Sequence, residues 1–154
     1  MITIEKYFMG RDSKYSDECT DEIRANAEET VRRTNKLLAL ASLDDIIRDT
    51  VASGWRPAAI NEATTNAAHI SKHLTARAVD IVDGNRVFAQ WCLLNLDKLG
   101  SLDLYMEDPR WCPTWVHLQC VPPLSGKRVY IPSTKPPLAP PLDGQNSIPT
   151  RLIT

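Results

Sequence analysis

The chain has 154 residues, which suits one domain or a domain with a tail and allows a buried core without disulfide staples. Eighteen basic against nineteen acidic side chains leave a formal charge of −1, so there is no general pull toward nucleic acid or an anionic membrane. With 43% hydrophobic and 24% charged residues, wholesale disorder is excluded, and no apolar run approaches the roughly 20 residues that span a bilayer. The first ten residues mix Glu5 and Lys6 among apolar neighbours and lack an apolar h-region with a cleavage site. Synthesis in the cytoplasm without a signal peptide is therefore expected. Cys19, Cys92, Cys112 and Cys120 contain no CxxC pair, and they read as reduced, buried residues rather than a disulfide framework or a zinc knuckle.

The first clear element is a helix over 20–41, where Ile23, Ala27, Val31, Thr34, Leu37 and Leu38 recur at three- and four-residue spacing. Thr20 is its expected N-cap, and Asp21 and Glu22 favour its first turn. A strand is expected over 46–53, followed by the Gly54–Pro57 turn from which Arg56 projects. The planar fork of Arg56 suits a carboxylate or an oxyanion, and equally a surface ion pair. A second strand over 78–82 carries Asp80 among apolar residues, and a helix follows over 85–99, with Gly100 as its stop. Strands over 102–106, 115–121 and 128–131 complete the set. Two helices among five strands in mixed order predict an α+β fold, a central antiparallel sheet flanked by helices, occupying residues 1–132. Eight of the eleven prolines fall at or after Pro122, so 133–154 reads as an extended Pro-rich tail.

The chain has three histidines, His69, His73 and His117. Alternation over 115–121 puts Val116, Leu118 and Cys120 toward the core, and Trp115, His117 and Gln119 on the other face. An ionised Asp80 inside Ala-Val-Asp-Ile-Val is costly unless a cation or strong donors meet it. His73 lies in the preceding loop. Two neutral imidazoles and one carboxylate, with a fourth position left for water, are the composition of a catalytic zinc site. The plainer alternative is a buried Asp80 accepting backbone N–H bonds, with two unrelated histidines.

Taken in order, SGWRPAAIN, SKHLTARAVDI and TWVHLQ resemble the D-Ala-D-Ala carboxypeptidase family of zinc peptidases. That family includes vancomycin-resistance D,D-dipeptidases and bacteriophage L-alanyl-D-glutamate endolysins, and it shares its α+β fold with the hedgehog signalling domain. Its Ser-x-His and Ala-x-Asp pattern falls on Ser71, His73, Ala78 and Asp80 at full spacing, with Ala76 where glycine is usual. The resemblance covers about residues 46–121. It implies Zn2+ held by His73, Asp80 and His117. It also implies that Arg56 binds the substrate and stabilises the oxyanion, with Ser71 beside the peptide. The implied substrate is a peptidoglycan stem peptide, cut by a carboxypeptidase or an L-alanyl-D-glutamate endopeptidase. In a phage lysis enzyme the action is on the cell wall, after release or delivery with the virion. No nucleic-acid partner and no membrane insertion are expected, and a monomer is favoured.

Several family members carry a catalytic glutamate three residues before the last histidine, where this chain has Thr114, which cannot act as a base near neutral pH. Glu107 is the only glutamate after Asp80 and is the expected general base, placed on the loop after the 102–106 strand. Asp108, Asp83 and His69 are the alternatives. Thr114 also supports a second reading, a non-catalytic zinc-binding or structural module on the same fold.

Overall fold

A computed structural model describes residues 1–42, 50–65 and 67–132. The chain opens with two short helices, α1 (Ile4–Phe8) and α2 (Arg11–Lys14). Neither was expected, because five and four residues are too few to show a helical period. Thr3 caps α1 by accepting from the Lys6 N–H, and Tyr7 and Phe8 are buried. The long helix α3 (Asp21–Ala41) starts as expected, with the Thr20 hydroxyl accepting from Ile23 N at 3.3 Å. Its Ala27, Thr30, Thr34, Leu37, Leu38 and Ala41 are buried.

After β1 (Val51–Ser53) comes a short helix, α4 (Ala58–Ala63), and then β2 (Ala78–Val82), which has the expected bounds. Of the strand expected over 46–53, positions 46–49 lie outside the described residues. The single helix expected over 85–99 is two, α5 (Val87–Leu94) and α6 (Leu96–Ser101). Asn95 separates them with φ −128° and ψ 46°, its side-chain amide donating to Trp91 O at 2.8 Å. Gly100 therefore lies inside α6 rather than ending a helix. Strands β3 (Tyr105–Glu107), β4 (Trp115–Gln119) and β5 (Val129–Tyr130) complete the fold. Six helices are thus described, against the two expected, and they outnumber the strands.

The five strands form one sheet in the order β1-β2-β4-β3-β5. Neighbours run antiparallel except β3 and β5, which run parallel, so the sheet is mixed rather than wholly antiparallel as expected. Strand direction follows from how the 120–128 connection carries the chain, and hydrophobic pattern does not encode that. One face of the sheet is apolar: Val79, Ile81, Met106, Val116 and Leu118 are at most 1% exposed. They join Tyr7, Phe8, Leu37, Leu38 and Phe88 in one core. The cysteines are free thiols, with Cys19, Cys92 and Cys112 buried and Cys120 half-buried past the end of β4. No described helix is long and apolar enough to cross a membrane. The expected tail, 133–154, lies outside the described residues.

Candidate metal centre

Because side chains alternate along a strand, the face opposite the core is set by register. Ser53 on β1 pairs with Asp80 on β2, and Asp80 pairs with His117 on β4. Met106 pairs with Leu118, so Glu107 falls beside His117 one step further along β3, and Glu107 pairs with Tyr130 on β5. The result is a polar row, Ser53, Asp80, His117, Glu107 and Tyr130, with one member from each strand of the sheet. Glu107 is a buried strand residue, not a member of the loop where it was expected.

His73 reaches this row from the loop before β2. Its Nδ1–H donates to Gly54 O at 2.6 Å, which leaves the Nε2 lone pair facing inward. That Nε2 lies 3.3 Å from His117 Nδ1 and 3.3 Å from Asp80 Oδ2. His117 Nδ1 donates to Asp80 Oδ1 at 2.7 Å. Ligand atoms of the three residues all lie within 4.8 Å of one another, and this buried group can hold a metal ion. No other such group of three or more His, Cys, Asp and Glu residues occurs among the described residues.

The charge pattern fits a shared cation position. Burial pushes the Asp80 carboxyl up, but His73 and His117 outweigh it and hold Asp80 well below the usual carboxylate range. Burial also lowers His73, more than Asp80 raises it, so His73 favours the neutral form that a metal ligand needs. For His117, burial is outweighed by the Asp80 hydrogen bond and by the charges of Asp80 and Glu107, and its pKa is raised.

Arg56 is buried rather than on the surface. Its Nη2 donates to Asp80 Oδ2 at 2.8 Å and its Nε to Ser53 Oγ at 2.9 Å. The donors that an ionised Asp80 meets are thus Arg56 and His117, rather than backbone N–H groups. Ser71 Oγ accepts from His73 N at 3.3 Å and so supports the loop. His69 is exposed and outside the ligand group.

Two of the carboxylates weighed as bases are already engaged. Both Asp83 oxygens accept N–H bonds from the first turn of α5, Phe88 N at 3.1 Å and Ala89 N at 2.8 Å. The Arg110 guanidinium holds the Asp108 carboxyl below its ordinary value. Thr114 is exposed and its carbonyl accepts from Asp83 N at 2.8 Å.

Sequence reasoning missed the contributions of Gly54, Ser53 and Tyr130. The Gly54 carbonyl is a backbone group, invisible to a residue-type search. Tyr130 enters only through the parallel β3–β5 pairing. The glycine itself was a signal: a Cβ on Gly54 would lie 2.0 Å from Tyr7 O, so the turn requires a residue without one. Ala76 carries a related mark, a left-handed φ of 55° in the His73 loop, at the position where the resembled pattern has glycine. No family model, curated protein or solved structure matches the chain.

Proposed function

We propose that the chain is a zinc peptidase that hydrolyses stem peptides of bacterial peptidoglycan, acting on the cell wall in the manner of a phage lysis enzyme. The observation that carries this reading is the spacing of the ligand atoms. Zinc–nitrogen and zinc–oxygen bonds of about 2.0–2.1 Å in a tetrahedral site put neighbouring ligand atoms about 3.3 Å apart. The two distances from His73 Nε2 are both 3.3 Å. His117 Nδ1 lies 2.7 Å from the other carboxylate oxygen, Asp80 Oδ1, and would give up its proton to act as a ligand. A site of two histidines and one carboxylate leaves room for substrate and water, unlike a closed structural site of four protein ligands.

In this reading His73, Asp80 and His117 hold the ion. Bound zinc supplies Lewis acidity, bringing the pKa of water to about 7 and polarising a carbonyl. Glu107, next to His117 in the row, takes the proton from the attacking water and passes it to the leaving amine. The Arg56 guanidinium adds positive charge near the carbonyl oxygen on which negative charge develops.

A second reading, a zinc-binding module without catalysis, draws on the exposed Thr114, which leaves no base on the turn before β4. One experiment covers both. Purified full-length protein is expected to carry about one zinc per chain, to lose it in the His73→Ala, His117→Ala double variant, and to release peptide fragments from muropeptides. Full zinc retention in the double variant would remove the site. A zinc-loaded chain that cleaves no muropeptide would leave the binding module as the function.

A further inference from the structure

The 53–56 turn touches two of the three ligands, and its contacts have a logic of their own. Gly54 O accepts from His73 Nδ1 at 2.6 Å, and Arg56 N donates to His73 O at 3.1 Å. The Arg56 side chain meets Asp80 Oδ2 at 2.8 Å, and Ser53 Oγ steadies the same guanidinium at 2.9 Å. The turn is itself anchored from outside. Arg11 Nη1 donates to Trp55 O at 2.7 Å, and Trp55 Nε1 donates to Leu74 O at 3.1 Å. Beneath it there is no room for a Cβ on Gly54 beside the Tyr7 carbonyl, while Tyr7 OH donates to Ala78 O at 2.9 Å at the start of β2.

We propose that this turn is a clamp that orients the metal ligands, and that Arg56 is a positioning residue acting through Asp80. The proposal rests on the metal reading of the site. The Arg56 and Asp80 side chains are only 11% and 8% exposed, so this is not a solvated ion pair. Without Arg56, Asp80 Oδ2 would lose its strongest donor in a place water scarcely reaches, and the carboxylate would be free to rotate away from His117. Outer partners that fix a ligand in this way typically contribute tenfold to a hundredfold in metal affinity.

The sign of the effect separates this role from its competitors. A guanidinium that merely sits near the ion repels it, and its removal tightens binding. A guanidinium that touches only substrate changes KM and leaves the metal alone. A clamp holds Asp80 in place, and its removal weakens binding.

The test titrates full-length protein with Co2+ alone, following the visible absorption of the bound ion, with far-UV circular dichroism to confirm folding. Arg56→Gln is expected to bind Co2+ about tenfold or more weakly than wild type and to shift the absorption band. Arg56→Lys, which keeps the charge but cannot meet Asp80 and Ser53 together, is expected to fall between the two. The Lys variant carries the test on its own should the Gln variant not fold. Wild-type affinity and an unchanged band in either folded variant, or tighter binding in Arg56→Gln, would overturn the clamp while leaving the metal site standing. Failure of the wild type itself to bind Co2+ would overturn the metal reading, and the clamp with it.

Discussion

Glu107 ends strand β3 beside His117, buried, and it is one of the charges that raise the His117 pKa. Asp83 is bound to the first turn of α5, and Asp108 to Arg110. Replacing Glu107 with glutamine keeps shape and removes basicity. Glu107→Gln is therefore expected to keep its zinc, measured by metal analysis, and to lose about a hundredfold or more in muropeptide cleavage. Asp108→Asn is expected to be milder in the same assay. At this scale the grouping of His73, Asp80 and His117 was legible, because histidines and an acid inside an apolar strand are visible as residue types. What Arg56 touches was not. The local sequence allowed an ion pair or a substrate contact, and only the fold brings Ser53 and Asp80 to its guanidinium.

The elements that read correctly are those whose burial pattern is unambiguous. Strand β4 alternates between a core face and a polar face, β2 is an apolar run with one acid, and α3 shows its period over 21 residues with a capping threonine. Strand β3 was misplaced for a local reason. The Leu102–Leu104 alternation looks extended, but Asp103 takes a left-handed φ of 48° just after α6, and the strand starts only at Tyr105. The start of α5 was likewise hidden, since its capping carboxylate stands four residues upstream. Asp83 is buried and satisfies two N–H groups there, so Asp83→Ala should cost about 1–2 kcal/mol in denaturant unfolding. Zinc content should stay at the wild-type level. An Asp83→Ala chain of full stability but without activity would instead place Asp83 in the chemistry.

Across the whole molecule, the three candidate ligands come from a loop, β2 and β4, with His117 following Asp80 by 37 positions. An unfolded chain presents no comparable set, so a metal that binds here binds the native state and stabilises it by mass action. At a hundredfold excess over Kd the gain is about 2.7 kcal/mol. For a chain of this size that corresponds to a rise of about 5–10 °C in Tm by calorimetry. The rise should vanish in the His73→Ala, His117→Ala double variant. The strand order has one more consequence, and it concerns time. Strand β4 lies between β2 and β3 although it follows both along the chain. Until it is in place, Ser53 and Asp80 lie on the β1–β2 pair, with His73 in the loop before β2, and Glu107 lies apart on β3. The last candidate ligand, His117, travels on the strand that joins β2 to β3. A half-assembled chain thus lacks the grouped His73, Asp80 and His117, and in the metal reading the site is complete only once that strand inserts.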